Sequence, residues 1–195
     1  MRCEPHHTLA AVLLASFALS GCATLQSLAQ LPQVRFHIDG TSDGRLAGVD
    51  IDRLRHAEDL GTIDLARVGL AVARRRVPLR FDLHIGAENP SSNRYDLRLE
   101  RLEWTLVLED RDTVSGVFDR PVVIESDGTT DIPLTIELDL LRFFSHGARD
   151  LAAVAVRAAG AGGPTNVRLR ARPTIRTPAG PFRFPNEIVI GPRRD

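Results

Sequence analysis

Cys22 is the residue whose surroundings point most directly to covalent chemistry. It follows an apolar, uncharged run at residues 9–19, and only the small residues Ser20 and Gly21 lie between. The run is shorter than the ~20 residues that a membrane-spanning helix needs, and it is typical of the apolar region of a secretory leader. An unmodified Cys22 would be a nucleophile, but its place at the end of a leader favours a modified thiol.

The segment Leu19-Ser20-Gly21-Cys22 resembles the lipobox of bacterial lipoproteins. The resemblance implies cleavage before Cys22, a diacylglycerol thioether on its thiol and acylation of its freed amine. Because each buried methylene contributes about 0.8 kcal/mol and one chain anchors only marginally, several chains on one residue make a stable anchor. An ordinary cleaved signal and a buried helix are the alternatives. Ala23 stands where an aspartate would resemble an inner-membrane retention signal, so the resemblance implies the outer membrane, facing the periplasm.

The rest of the chain offers no familiar catalytic motif. The patterns G-x-S-x-G, H-E-x-x-H, G-x-G-x-x-G and the phosphate-binding loop are all absent from the sequence. Four histidines lie far apart beyond Cys22, and we interpret them as solvated surface residues rather than metal ligands: His37, His56, His84 and His146. Three neighbouring acidic residues could hold Ca²⁺ weakly, but we favour an ordinary acidic hairpin tip: Glu109, Asp110 and Asp112. We therefore expect no catalytic residue, no metal and no cofactor.

Charge and cysteine content narrow the class of protein. Lys+Arg and Asp+Glu both number 25, and none of the cations is a lysine. A nucleic-acid binder usually shows a basic excess, so the balance argues against a nucleic-acid partner. Cys3 would be lost with the leader, which leaves Cys22 alone and rules out an internal disulfide. An exported domain of this kind depends on its hydrophobic core, and we expect it to be a monomer.

Alternation of apolar and polar residues predicts β-strands along much of the chain. The clearest strand covers residues 79–87, and another alternates without a break over residues 130–140. Between Leu99 and Leu102 the phase slips by one residue, which predicts a β-bulge or a bend. Trp104 follows in the shifted phase; we place it in the core, with ligand stacking as the alternative. Further strands are predicted near residues 34–38, 49–51, 114–118 and 167–172, and residues 121–124 are predicted to be extended. A last strand is predicted to start at Phe182 and Phe184, and Ile188 and Ile190 end the ordered part.

Two stretches have helical spacing instead. The first helix is predicted to begin at a Thr62 cap and to end before Pro78, with an apolar side formed by Leu65, Val68, Leu70 and Val72. Its last turn carries arginines at residues 74–76, where cations suit the helix dipole. These arginines could meet lipid phosphates, but a solvated helix end is favoured because the chain as a whole is not basic. A second helix is predicted within residues 140–159, ended by the glycine-rich residues 160–164.

These elements predict a mainly β fold: an antiparallel β-sandwich with one or two inserted helices. Turn chemistry is expected at Asp39-Gly40, Asp43-Gly44, residues 88–93, residues 109–112 and Asp127-Gly128. We expect a signal peptide at residues 1–21, a tether at residues 22–32 and one domain at residues 33–192.

The order of several motifs resembles the LEA14-like, or WHy (water stress and hypersensitive response), domain of the LEA type 2 family. The motifs are Asn89-Pro90 after an alternating strand, Leu99-x-x-Leu102-x-Trp104, the Asp110 turn before Val114-Ser115-Gly116, Pro121 and the strand at residues 130–140. Residues 167–185 are similar to the closing hairpin of that family. Two features depart from it: Ser91 stands where the family often has a second asparagine, and residues 40–77 form a longer segment than in the plant members.

This resemblance implies an Ig/fibronectin-III-like sandwich without catalytic apparatus. It also implies structural roles for Asn89, Pro90, Gly116 and Pro121, because Asx side chains bond the backbone of turns and proline fixes the dihedral angle φ. A binding role for Asn89-Pro90 is the alternative. The implied function is protection of proteins or of the membrane during desiccation or envelope stress. An envelope adaptor that docks a protein or lipid partner is the second hypothesis, and an envelope enzyme is the third.

Overall fold

The computed structural model describes residues 34–145, 147–177 and 180–193. The strands, in chain order, are β1 (Arg35–Leu46), β2 (Val49–Asp50), β3 (Pro78–Asn89), β4 (Leu97–Leu108), β5 (Arg111–Phe118), β6 (Val122–Ile124), β7 (Gly128–Asp139), β8 (Val167–Thr177), β9 (Gly180–Arg183) and β10 (Ile188–Ile190). The helices are α1 (Thr62–Ala73) and α2 (Ala148–Ala159), and short 3-10 helices lie at Ala57–Asp59 and Leu140–Arg142.

The strands form two sheets. Sheet 1 has the order β2-β1-β3-β7, and sheet 2 has the order β10-β8-β4-β5, with β6 paired to β4 and β9 paired to β8. All of these pairs are antiparallel. In immunoglobulin nomenclature, sheet 1 contains strands A (β1), B (β3) and E (β7). Sheet 2 contains strands G (β9, β10), F (β8), C (β4) and C′ (β5). The two sheets therefore have the strand order of an immunoglobulin-type sandwich. The predicted antiparallel β-sandwich with inserted helices is confirmed.

The core lies between the two sheets and follows the alternation of the sequence. The odd-numbered apolar residues of β3 and the even-numbered ones of β7 are buried, while their neighbours point away from the core. The inward residues are Leu79, Phe81, Leu83, Ile85 and Ala87 on β3 and Ile132, Leu134, Ile136 and Leu138 on β7. Each such Leu, Ile or Phe contributes roughly 1.5–3 kcal/mol by leaving water, so the core can hold the fold without a disulfide.

Helix α2 closes one side of the sandwich by packing on β1. Its apolar residues Leu151, Ala155 and Ala158 are buried. Gly44 of β1 permits this contact, because a Cβ at that position would lie 2.6 Å from the carbonyl oxygen of Ala159. A larger residue at Gly44 would push the end of the helix away from the sheet.

Strand β1 runs through both turns that were predicted for it, so that prediction is wrong. Its pairing with β3 shifts between Ile38 and Gly40 and again between Ser42 and Arg45. The Asp-Gly pairs therefore serve as β-bulges, which absorb extra residues while β3 continues as an unbroken partner. The true turn is at Ala47-Gly48, where both residues have a positive φ. The bulge predicted between Leu99 and Leu102 is confirmed: the pairing of β4 with β8 shifts between Leu99 and Arg101.

The helices differ in detail from the prediction. Gly61, not Thr62, is the N-cap of α1, and Leu70 is exposed rather than on the buried side. Only the 3-10 helix at Leu140–Arg142 and α2 are helical within residues 140–159, because the chain must first turn out of β7. Gly160 caps α2 as the glycine-rich segment predicts.

Residues Val34–Asp195 form one compact unit. Its hydrophobic core runs from Ile38 to Ile190. A unit of this size with such a core is typical of domains that fold by themselves.

Candidate functional site

A line of three hydrogen-bonded side chains crosses the outer face of sheet 1. Ser42 Oγ lies 2.9 Å from His84 Nε2, and His84 Nδ1 lies 2.9 Å from Asp131 Oδ2. Asp131 as a carboxylate accepts from the Nδ1–H group, which leaves Nε2 to accept from the serine hydroxyl. This is the connectivity of a Ser-His-Asp triad.

The strand register brings these three residues together. His84 lies on the central strand β3 and is paired with Gly40 of β1 on one side and Pro133 of β7 on the other. Ser42 and Asp131 are each displaced along the neighbouring strands, so they reach the two ring nitrogens diagonally. The bulges in β1 determine that Ser42 faces outward at this level.

The line lacks two other parts of a hydrolytic site. The backbone N–H groups that follow Ser42, at Asp43 and Gly44, donate to the carboxylate of Asp52 at 3.0 and 2.7 Å. These donors are therefore occupied and are not directed at a developing oxyanion. The side chain of Asp131 is 53 % exposed, so water screens its effect on the imidazole. The arrangement can orient a hydroxyl, but it does not exclude water from it.

A second histidine, His37, lies on the same face of sheet 1, nearer the end of β3 than His84. His37 Nε2 is 3.0 Å from Asp39 Oδ1, and Arg193 contacts both side chains, at 3.3 Å for Asp39. Gly86 makes room for this group, because a Cβ there would lie 2.3 Å from the His37 ring and from the Asp39 carboxylate. The interpretation of both histidines as merely solvated overlooked these contacts. Their outward positions on neighbouring strands were the available signal, but alternation does not fix the register.

The other histidines contribute less to a site. His56 precedes a 3-10 helix, and its backbone N–H donates to the Asp59 carboxylate at 2.9 Å. That bond, together with one from the backbone of Arg55, lowers the pKa of Asp59. His146 lies outside the described residues, as do Leu19, Ser20, Gly21 and Cys22.

The acidic hairpin tip is neutralised by arginines. Glu109 and Asp110 occupy the two turn positions between β4 and β5, both with positive φ. Glu109 is 2.8 Å from Arg157. Asp110 contacts Arg168, and Asp112 is 2.6 Å from Arg170. Each carboxylate thus has a guanidinium partner, and among the described residues no cluster of three His, Cys, Asp or Glu is arranged to hold a metal ion.

These pairs belong to a larger row of charges on the outer face of sheet 2, which we call the ion-pair face. Arginines of β8 and β9 pair with carboxylates of β4, of β5 and of the turn between them: Arg168–Asp110, Arg170–Asp112, Arg176–Glu100 and Arg183–Glu103. The Arg183 side chain at 2.6 Å, with a smaller contribution from Arg101, lowers the pKa of Glu103. Four arginines of this strongly charged face thus contact a carboxylate.

Asn89 lies at the end of β3 and is completely buried. Its Nδ2 group donates to the carbonyl oxygens of Tyr95 and Ile124, both at 3.2 Å, and its Oδ1 accepts from Asn93 Nδ2 at 2.8 Å. The side chain thus joins the end of β3, the following turn and the end of β6. Pro90, half-buried, starts that turn and accepts a bond from the Asn93 N–H at 2.8 Å.

Gly116 lies directly opposite Trp104 in the pairing of β5 with β4. A Cβ at Gly116 would lie 2.5 Å from Cζ2 of the indole, so the ring occupies the space that any side chain would need. Trp104 is half-buried against the core rather than fully inside it, and it forms part of a cleft between β5 and β7. Pro121 is exposed, immediately before β6.

A groove of about 720 Å³ opens at the end of sheet 1, where β3 begins and β7 ends. Its charged lining consists of Arg75, Arg76, Arg80, Arg142, Glu137 and Asp139. We call it the arginine groove. The sequence singled out the first two of these arginines, but Arg142 joins them only through the fold.

Comparison with known proteins adds little to this geometry. No family model matches the chain, and no curated protein matches it. A crystal structure of a protein from Archaeoglobus fulgidus is similar over 60 % of this chain and 87 % of its own, with 13 % identity and a TM-score of 0.33. The solution structure of a candidate late embryogenesis abundant (LEA) protein is similar over 96 % of this chain and 88 % of its own, with 16 % identity and a TM-score of 0.37. At these values neither likeness bears on function.

The described helices are also too short or too polar for a membrane crossing: none of them combines the length and the apolar character that a span requires.

Proposed function

We propose that this protein is a lipid-anchored, non-catalytic β-sandwich module of the bacterial cell envelope that protects neighbouring proteins or the membrane when water is lost. The anchor rests on Leu19-Ser20-Gly21-Cys22 at the end of an apolar run. The protective role rests on one observation, the ion-pair face of sheet 2.

The physical reason lies in how ion pairs respond to drying. In water an exposed pair is worth only about 0–1 kcal/mol. As water leaves, the effective dielectric constant falls and the attraction of opposite charges rises. Charges without a partner become costly under the same conditions. An arginine that already contacts a carboxylate, such as Arg176 with Glu100 at 2.5 Å, keeps its charge satisfied. Such a module would remain folded while it separates other proteins that would otherwise aggregate.

Drying of a client enzyme tests the protective role. The Val34–Asp195 unit is dried with a labile dehydrogenase, and recovered activity and light scattering are compared with an equal mass of an inert carrier protein. We expect more recovered activity and less aggregation with the unit. The double variant Arg168→Gln/Arg170→Gln should protect less well, because it leaves Asp110 and Asp112 unpaired. Protection no better than that of the carrier would refute the role.

The anchor requires a separate test. Mass spectrometry of the mature N-terminus should find acyl chains on Cys22, and Cys22→Ala should release the protein from the membrane fraction. An intact leader on an unacylated product, or unchanged fractionation of the variant, would contradict the anchor and with it the envelope location.

The Ser42-His84-Asp131 line makes the non-catalytic part of the proposal testable. We expect no labelling of Ser42 by a fluorophosphonate, because the backbone N–H groups that follow Ser42 are bound to Asp52 and water is not excluded. Labelling that is lost in both Ser42→Ala and His84→Ala would instead establish an activated serine and favour an envelope hydrolase.

An adaptor role is the second candidate, and the position of β7 favours it. This strand ends sheet 1 in the order β2-β1-β3-β7, and the edge of a sheet can accept a strand from a partner. Pro133 removes one backbone donor from β7, which limits such pairing. Crosslinking in cells followed by mass spectrometry should recover a specific envelope protein. Recovery of abundant bystanders alone would remove support for the adaptor.

A further inference from the structure

The arginine groove differs from the ion-pair face in that its cations outnumber their partners. Of its carboxylates, Glu137 contacts Arg80 at 3.3 Å. The Asp139 carboxylate accepts from the backbone N–H groups of Val77 and Leu141, at 2.9 and 3.2 Å. Arg75, Arg76 and Arg142 are left without a carboxylate within 4.0 Å among the described residues. The groove therefore has a local positive excess in a chain of zero net charge.

Arg75 holds a backbone conformation that is unusual for an arginine. Its φ is +56°. The Arg75 N–H donates to the Val72 carbonyl at 2.9 Å, and the Arg76 N–H donates to the Ala71 carbonyl at 3.1 Å. These two bonds form a Schellman motif, in which the left-handed position is usually glycine. An arginine there lowers the stability of the helix end, and a role for its side chain would explain its presence.

Helix α1 ends just before Arg75 and Arg76 of the groove, and it carries large apolar side chains on an exposed side. Ile63 is 71 % exposed and Leu70 is 51 % exposed. At helical spacing these residues share one stripe with Arg67 and Arg74, since residues three and four apart are neighbours on a helix surface. Arg67 is paired with Asp64 at 3.0 Å. The stripe thus combines large apolar side chains, whose exposure to water is unfavourable, with arginines at its end.

We propose that the stripe of α1 and the arginine groove together form a docking surface for a membrane of anionic phospholipids. Ile63 and Leu70 enter the boundary between headgroups and acyl chains, and Arg75, Arg76 and Arg142 bind lipid phosphates. Helices that lie on membranes show this combination of apolar side chains and arginines, and guanidinium groups match phosphate oxygens in geometry and charge. The proposal rests on the envelope location of the proposed function, and it gives the anchored domain a fixed face towards the lipid.

Vesicle binding of the Val34–Asp195 unit tests this surface without involving Cys22, so the anchor and the surface can fail independently. The probes are vesicles of phosphatidylcholine alone and of phosphatidylcholine with phosphatidylglycerol. We expect binding to the anionic vesicles only, weakened by salt. Each arginine near an anionic surface contributes about fivefold in affinity, so Arg75→Gln/Arg76→Gln should bind roughly 25-fold more weakly. Ile63→Ser/Leu70→Ser should also bind more weakly, and both positions are exposed, so the fold should persist in a melting curve.

The matched control is Arg94→Gln/Arg98→Gln. It removes the same charge from two exposed arginines at the opposite end of the sandwich, beside the ends of β3 and β6. We expect it to bind anionic vesicles as the natural unit does. Equal loss in the control would show attraction by total charge and overturn the proposal.

Arg75→Gly separates lipid binding from stability. Glycine suits the left-handed position, so the melting temperature should rise by about 1–4 °C, while vesicle affinity should fall about fivefold. An unchanged affinity would contradict the role of this arginine.

Two results would overturn the proposal as a whole. The first is that the unit does not bind anionic vesicles. The second is that glycerol phosphate, dissolved at the concentration of the lipid headgroups, abolishes vesicle binding, because the site would then serve a small phosphate ligand.

Discussion

Replacement of Asn89 by alanine is expected to be the most damaging single change outside the apolar core. The side chain is completely buried, and it makes two hydrogen bonds to the turn after β3 and one to the end of β6. The alanine variant would remove both donors and the acceptor at once. The turn after β3 and the end of β6 would lose their common contact.

The magnitude follows from the partners that remain. The bond to the Ile124 carbonyl is buried, so its loss leaves an unsatisfied group that costs about 1–3 kcal/mol. The bonds to Tyr95 and Asn93 are partly buried, and water can replace some of them. We expect a total loss of about 2–4 kcal/mol, which is a large share of a typical stability of about 5–15 kcal/mol. The melting temperature should fall by roughly 5–15 °C.

Urea unfolding of the Val34–Asp195 unit measures this loss as a lower midpoint at unchanged slope. The matched control is Asn93→Ala, which removes only one partly buried bond and should cost about 1 kcal/mol. Asn89→Asp should be worse than alanine at neutral pH, because a carboxylate would face two carbonyl oxygens. A loss below about 1 kcal/mol for Asn89→Ala, or one equal to that of the control, would refute the reasoning.

Two further changes test the description of sheet 2. Gly116→Ala should destabilise the unit by about 1–3 kcal/mol and shift the fluorescence of Trp104, because the new Cβ would lie 2.5 Å from the indole; an unchanged emission spectrum and melting temperature would contradict this contact. Arg183→Gln should raise the pKa of Glu103 towards 4.5, and an NMR titration of this carboxyl group measures the change. Because the pKa of Glu103 is lowered in the folded state, its stabilising effect is present above the unfolded pKa and is lost as pH falls through the folded pKa. The natural unit and Arg183→Gln should therefore converge in stability in acid, and a difference that grows there would count against the pair.

Alternation along β3 and β7 was sufficient to predict the sandwich, because one face of each strand must be apolar to form the core. The slip at Leu99 predicted a bulge for the same reason. The path of β1 could not be read in this way. Asp-Gly pairs suit both a turn and a bulge, and the uninterrupted partner β3 decides between them.

Sites that depend on pairing between strands were beyond the reach of the sequence. Ser42, His84 and Asp131 are far apart along the chain, and only the register of three strands joins them. Arg142 likewise joins Arg75 and Arg76 only because β7 ends beside the start of β3.

By itself, the sequence determined which strand residues leave water and that Cys22 follows an apolar run. Both are local properties, set by the type and spacing of neighbouring residues. The tertiary structure alone decided which outward-facing charges meet a partner, as on the ion-pair face, and which do not, as in the arginine groove. That outcome depends on distances of a few ångströms between strands, and a one-residue change of register would alter every pair.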